Sequence, residues 1–497
     1  MPVDIKKLKK FEKEDAPPHA GNMIEGYRSF GYALETAVAD IIDNSIAAKS
    51  KNIWIDFNWH GDGTTFTITD DGTGMSLKDL VIAMTPSSRS PLVDRDSEDL
   101  GRFGLGLKTA SFSQCRVLTV ATKLAGKKII LRSWNMDYVH KAGWKLLDYL
   151  DDKKLIQRLK NIDKGTTVIW QYIDLLVKGT REEDPDDLKI FLDRIQKMEM
   201  HLAAVFHFFI EKRKLNIWIN DKKIKAWDPY LSTVPTTQTG DETKLRNGIV
   251  VQPYVLPPTS DLVKEDFDRG AGIKGWNAHQ GFYIYRNNRM IIHGEWLGMY
   301  KQEEHSKLSR IRVNLPNNVH TDTEWHLDIK KSYIQPPPDI YQDLKRIADE
   351  SRKDAVNIYR QIGKVKRKES KKEDISVWTD HTRKGQRCYQ INKEHPLIKS
   401  FIAENTDSNR SRVNRLFRLL EETLPLTIII ANESEHRDMQ KYPFENKSES
   451  DLVTMIAELY KFLSAGGLEH EAIIQEILRT EPFNRFPELI ENVQHGN

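Results

Sequence analysis

Apolar and polar positions alternate along this chain in rhythms that change from one segment to the next. From Gly31, the stretch ETAVADIIDNSIAAKS predicts a helix, and the runs KNIWIDFNWH and TTFTITDDGTGM predict a strand pair. Ser76 with Asp79 three residues on has the spacing of a capping box and predicts a short helix. Residues 85–100 (TPSSRSPLVDRDSEDL) carry no period and read as a loop, after which Gly101 to Gly106 open another helix. CRVLTVATKL, KKIILRSW and GTTVIW are strand-like. The expectation is an α+β segment with helices on one face of a mixed, mostly antiparallel sheet.

Near Asp184 the pattern changes. Asp184-Pro185 is an N-cap followed by proline at the first helical position, and predicts a long helix to about Ile210. LNIWIN, GIVVQPYVL and GFYIYRNNRMII follow as strands of a second unit, the last hinged on an Asn287-Asn288 turn. Past the prolines at 336–338, Ile340, Leu344, Ile347, Ser351, Ala355, Ile358, Ile362 and Val365 return in steps of three and four. They predict one long helix with a narrow seam, read as packing against its own domain rather than as a dimer coiled coil. The basic run KVKRKESKK ends it. Residues 375–497 predict a last mixed unit with one buried-strand candidate, LTIIIA.

Composition narrows the class. A chain of 497 residues suggests more than one domain, and 39% hydrophobic residues suffice for real cores. The net charge of +3 neither announces nor excludes a nucleic-acid partner, since a local basic strip can hide in a balanced total. Cys115 and Cys388 lie far apart without metal-ligand spacing, which argues for a reduced cytoplasmic chain without a disulfide framework or zinc site. The N-terminus has no apolar leader, and HLAAVFHFFI is about half the length needed to cross a bilayer, so no membrane role is expected.

Four patches carry candidate chemistry. Asp40 and Asn44 are four apart on a helix and face one direction; a carboxylate there can act as general base, and an amide oxygen beside it can ligate Mg²⁺. In Asp70-Asp71-Gly72-Thr73-Gly74-Met75, a carboxylate at a strand end followed by glycines lets a planar base approach the backbone while the acid accepts its amine. Gly101, Gly104, Leu105 and Gly106, leading into Lys108 and Thr109, would expose amides to phosphates; the spacing is neither that of a P-loop nor, in context, that of a Rossmann turn. Thr166 lies on a strand where its hydroxyl could meet a base. Singly, each patch has a plainer reading as a polar helix face, a turn, a glycine-rich loop or ordinary strand.

In this order the patches resemble the GHKL superfamily, which includes gyrase, MutL, the ninety-kilodalton heat-shock chaperone and the sensor histidine kinases. The resemblance spans roughly 140 residues and implies a Bergerat-fold ATPase using ATP and Mg²⁺. It implies Asp40 as the base that activates water and Asn44 as the metal ligand. Asp70, with Gly72, Gly74 and Met75, falls at the adenine site beside Thr166. Gly101, Gly104, Leu105, Gly106, Lys108 and Thr109 fall at the phosphate side, and a lid falls at about 85–103. Two departures matter: the base is Asp where most members have Glu, and the usual Asp-Ala after the asparagine reads Ala47-Ala48. Binding is therefore the safer expectation than fast turnover.

The rest of the chain resembles the MORC branch and its MutL-like prokaryotic relatives of defence or restriction-type gene clusters. GFYIYRNNRMI, RIRVNLP and Asp328-Ile-Lys330-Lys331-Ser332 look like an S5-like transducer, in which Lys330 or Lys331 would reach the γ-phosphate. The expected plan is an arm at 1–30, an ATPase domain at 31–180, a transducer at 181–335, a long helix and basic linker at 336–373, and a mixed α/β unit at 374–497. The resemblance implies an ATP-gated homodimeric clamp or switch acting on DNA or on an effector protein encoded nearby. A non-catalytic ATP sensor and a chaperone for protein clients are the rivals. His395 reads as a helix-start residue and Glu469-His470-Glu471 as a solvated face.

Overall fold

Helices and strands fall where the capping and turn chemistry puts them. A computed structural model describes residues 14–86, 106–212, 215–328, 333–361, 375–383, 386–404, 406–426, 428, 449–487 and 489–490. Helix α1 (Ala20–Arg28) precedes α2 (Leu34–Ala47), whose residues 37–43 are all buried. Strands β1 (Asn52–Asn58) and β2 (Thr65–Asp70) pair antiparallel, with Ile53 opposite Asp70. Ser76 caps α3 (Leu77–Met84) as the sequence indicates, its hydroxyl oxygen accepting the Asp79 N–H. Helix α4 (Gly106–Phe112), β3 (Val117–Lys123), β4 (Ile130–Asn135) and β5 (Gly165–Gln171) follow.

The first sheet has seven strands in the order β4-β3-β5-β2-β1-β6-β7, where β6 is Asn216–Ile219 and β7 is Lys222–Lys223. Every pairing is antiparallel except β1 with β6. This is the mixed, mostly antiparallel sheet expected. Strand β6 is LNIWIN, which the sequence pattern groups with the second unit. The free edge of β1 accepts it because Ile217 and Ile219 point into the same core as Ile53 and Ile55. Helix α5 (Pro185–Val205), capped by Asp184, packs on α2 and joins that core; it ends at Phe206 and a separate turn of helix, His207–Glu211, completes the predicted stretch. Most helices cover one face. A smaller cluster of Ala121, Leu150, Ile156, Leu159 and Ile169 covers part of the other.

The second sheet is built from β8 (Val250–Val255), β9 (Gly281–Arg286), β10 (Arg289–Glu295) and β11 (Ser309–Leu315), in the order β10-β9-β11-β8, with short edge strands beyond β8. Asn287 and Asn288 both have positive φ, 48° and 65°, the signature of a two-residue type I′ turn between β9 and β10. Helix α6 (Val319–Glu324) follows. Helix α7 (Pro338–Gln361) lays Ile340, Leu344, Ile347 and Ala348 onto this sheet, and the Ser351 and Ser309 hydroxyls meet at 2.6 Å. The seam thus packs within its own domain; Ile362, Val365 and the basic run lie outside the described residues.

The chain divides into two units, Met1–Tyr359 and Arg360–Asn497. The second holds an antiparallel strand pair, Trp378–Arg383 with Gln386–Ile391, and helices packed around Leu452, Ile456, Leu459, Ile473, Ile474 and Ile477. His395 precedes the helix Pro396–Glu404, its ring nitrogen 2.6 Å from the Glu481 carbonyl, so it starts a helix as its sequence position indicates. Of the strand candidate LTIIIA, Leu426 and Ile428 are helical and exposed rather than part of a buried strand. Among the described residues no helix is long and apolar enough to cross a membrane, and no cluster of three metal-ligating side chains occurs.

Candidate active site

Helix α2 and the end of β2 supply the acids. Asp40 and Asp43 are buried on α2, while Asn44 is exposed and donates its Nδ2 to the Asp40 carbonyl at 3.0 Å. That bond commits the amide nitrogen to the helix and leaves the amide oxygen as the free polar atom. The Ser45 hydroxyl donates to Asp70 Oδ2 at 2.9 Å, tying α2 to the strand end.

Asp70 and Asp71 are neighbours with opposite environments. Burial raises the Asp70 carboxyl to about 6, even though the Gly72 N–H and the Ser45 hydroxyl both donate to it. For Asp71, burial is outweighed by donors from Ser50, the Lys51 and Asn52 backbone and the Asn52 amide, and its carboxyl lies below the usual range. Asp71 is a satisfied turn staple. Asp70 retains an acceptor with unspent capacity in a buried place.

The turn after Asp70 needs its glycines. Gly74 has φ +69°, and a Cβ there would lie 2.1 Å from the Lys123 carbonyl oxygen. A Cβ at Gly72 would lie 2.8 Å from both the Ala48 Cβ and Asp70 Oδ1. The Met75 N–H donates to Thr122 Oγ1 at 2.9 Å, and that hydroxyl is 3.1 Å from Thr166 Oγ1. Thr166 also faces Asp70 across the β2–β5 ladder. Asp70, Gly72, Gly74, Met75 and Thr166 therefore line one place, as the sequence groups them. Thr122, which joins Met75 to Thr166, carries no signal of its own in the sequence; in a strand rich in threonine nothing marks it.

The glycine-rich segment comes to Asp40. An ideal Cβ on Gly106 would stand 3.7 Å from Asp40 Oδ2. Thr109 is buried, and the Tyr32 hydroxyl hydrogen-bonds with both Thr109 and Asp40; burial and then the Asp40 charge push the Tyr32 phenol well above its usual range. Lys108 is buried, with its ammonium donating to the Ala83 carbonyl at 3.0 Å, at the C-terminal turn of α3. Gly101, Gly104, Leu105, Lys330 and Lys331 lie outside the described residues.

Two further residues escape sequence reasoning. Tyr32 precedes α2 in a stretch with no motif. Arg289, at the start of β10, is buried and sends Nε to both Asp43 oxygens at 2.8 and 2.9 Å, with its terminal nitrogen 3.8 Å from Asp40 Oδ1. An arginine beginning a buried apolar strand is the available signal, but its partner lies 246 residues away.

A family model described as Histidine kinase-, DNA gyrase B-, and HSP90-like ATPase matches residues 32–166, which contain every site residue just described except Arg289. Residues 32–166 are a GHKL-type ATPase domain. The chain is also similar to ATPase morc-1 of Caenorhabditis elegans, 29% identical over 129 residues; the match covers 25% of this chain and 13% of the relative. The chain thus spans about an eighth of that relative's length. Among solved structures it overlaps the ATPase and transducer domains of DNA topoisomerase II from Balamuthia mandrillaris (TM-score 0.37, 11% identity, 67% of this chain and 86% of that one). A second is the ATPase region of Saccharomyces cerevisiae topoisomerase II bound to ICRF-187 (TM-score 0.36, 14% identity, 66% and 86%). These overlaps are loose and bear no functional argument.

The GHKL domain has places fitted to its expected ligands. Asp70 offers a buried acceptor beside the turn where Gly74 lets the backbone close on β3, and an acceptor so placed suits a flat base with an exocyclic amine. Asn44 offers a neutral amide oxygen about one helical turn from Asp40 along α2, a hard donor suited to Mg²⁺.

Proposed function

We propose that the chain binds ATP with Mg²⁺ in this site and hydrolyses it slowly. The observation that carries the reading is a buried acceptor at Asp70, bonded to Ser45 of α2, together with a second buried carboxylate on that helix, Asp40, beside Gly106 at the start of α4. Asp70 accepts the adenine amine, Gly72 and Gly74 let the turn pack closely against α2 and β3 beneath the base, and Met75 and Thr166 border it. By the resemblance, Gly101, Gly104, Leu105 and Gly106 supply backbone amides to the phosphates, and Lys108 and Thr109 belong to the same side of the site. Asn44 would hold Mg²⁺, which would supply charge to offset that of the triphosphate. Asp40 takes the proton from the attacking water. Lys330 or Lys331 reaches the γ-phosphate.

Beyond the site, the reading is that of an ATP-gated switch: two copies associate on ATP binding, and the second sheet with α7 passes the closure to DNA or to an effector protein. What supports this is the resemblance to the MORC branch and the similarity to ATPase morc-1, confined to a quarter of this chain. Phosphate release by purified protein tests the chemistry. Asp40→Asn is expected to keep affinity for an ATP analogue within a few fold and to lower turnover by about 10²-fold, the scale of a lost general base. Undiminished turnover removes Asp40 from that role.

A second reading, a sensor that binds ATP without useful turnover, is favoured by the short Asp40 side chain and by its bond to Tyr32. Analogue binding without phosphate release by the unmodified protein selects it.

A further inference from the structure

The turn Arg286-Asn287-Asn288-Arg289 projects from the second sheet with a buried arginine on each side. Its type I′ geometry makes Arg286 and Arg289 the closing pair of the β9–β10 hairpin. Their side chains leave in different directions. Arg286 donates a terminal N–H to Asp322 Oδ2 at 2.9 Å on α6, shortly upstream in sequence of Lys330 and Lys331. Arg289 donates Nε to Asp43 on α2, stacks its guanidinium 5.9 Å from the Phe206 ring, and stands 3.8 Å from Asp40.

We propose that Arg289 is a positioning residue for hydrolysis, through which the hairpin of the second sheet fixes the Asp40 carboxylate. The proposal rests on the hydrolytic reading above. Asp40 and Asp43 lie less than one helical turn apart on α2, both buried, and one guanidinium serves both. Its closest bonds go to Asp43, so it anchors the helix there and contacts Asp40 at longer range. A hydrogen-bonded guanidinium with Nε engaged cannot shift without moving its partner, because the buried carboxylate would lose its donors. Any displacement of the hairpin is thereby felt at α2, within a turn of the base, and a misplacement on the order of 1 Å at a reacting group costs up to about 10²-fold in rate. Asp40 is also hydrogen-bonded by Tyr32, so the carboxylate is contacted by one residue of the ATPase domain and one of the second sheet. Arg286 and Asp322 give the same hairpin a hold on the segment leading to Lys330 and Lys331.

The test uses the full chain, with phosphate release for turnover and calorimetry of a non-hydrolysable ATP analogue for affinity. Arg289→Gln is expected to lower kcat by about tenfold or more while analogue affinity changes by less than about threefold. Because that variant leaves Asp43 buried without its cation, the double variant Asp43→Asn, Arg289→Gln is measured beside it. It removes the stranded charge and should fold and stay slow. Unchanged kcat in Arg289→Gln, a parallel loss of affinity and turnover in both variants, or restoration of full turnover in the double variant each overturns the proposal. Absence of phosphate release from the unmodified chain removes the hydrolytic reading and this proposal with it, and is visible before any substitution is made.

Discussion

Replacing Asp70 by asparagine should affect nucleotide binding and nucleotide-free stability in opposite senses. In the free protein the folded-state carboxyl titrates at about 6, against 3.8 for the unperturbed side chain, because burial disfavours its charge. The folded state therefore holds its proton more tightly than the unfolded state. Its contribution to stability is complete below pH 3.8 and is lost as pH rises through about 6. The difference of about 2.2 pH units corresponds to about 3 kcal/mol, an upper figure. The substituted amide carries no such charge, keeps an oxygen for the Gly72 N–H, and lets the Ser45 hydroxyl turn to accept. Relative to the unmodified chain, Asp70→Asn should thus gain up to about 3 kcal/mol between pH 4 and pH 7.5. The same change should weaken ATP binding by about 1–3 kcal/mol or more, since the adenine amine would face an amide that also donates. Thermal unfolding across this pH range, with and without ATP analogue, reads both. A variant destabilised at pH 7.5 without nucleotide, or one that retains full analogue affinity, refutes the argument.

Gly74→Ala places a Cβ 2.1 Å from the Lys123 carbonyl at φ +69°; it should cost about 2 kcal/mol or more and reduce analogue binding, read by urea unfolding and calorimetry. If ATP builds a clamp, light scattering should show the mass doubling with analogue and Mg²⁺ but not with ADP; a monomer at tens of micromolar (roughly the scale of a weak but specific dimer) counts against it. If the chain binds duplex DNA, reversing Lys366, Arg367 and Lys368 to glutamate should flatten the salt dependence of that binding by about two to three phosphate contacts, and an unchanged slope leaves that run a mere linker.

Local signals are legible in the sequence, and distant partnerships are not. The Ser76 and Asp184 caps, the Asn287-Asn288 turn and the α7 seam can be read because each is decided by residues within a few positions. The grouping of Asp70, Gly74 and Thr166 is legible through the glycines that the close approach to β3 and β5 demands. Strand β6 falls to the wrong sheet on pattern alone because four alternating residues fit the edge of either, and only the core behind β1 decides. Asp43 looks like part of a polar helix face, and its burial becomes intelligible only with Arg289 beside it. The resemblance puts Lys108 at the phosphate side, and no spacing in the sequence foretells the bond its ammonium makes to the Ala83 carbonyl at the end of α3.

A crystal structure of the chain with a non-hydrolysable ATP analogue and Mg²⁺ bears most directly on the central claim. The account predicts the adenine amine within hydrogen-bond reach of Asp70, the metal on the Asn44 amide oxygen, and the γ-phosphate on the Asp40 side of the site. Nucleotide bound elsewhere, or bound here with its base turned away from Asp70 and its metal held by other residues, would contradict it.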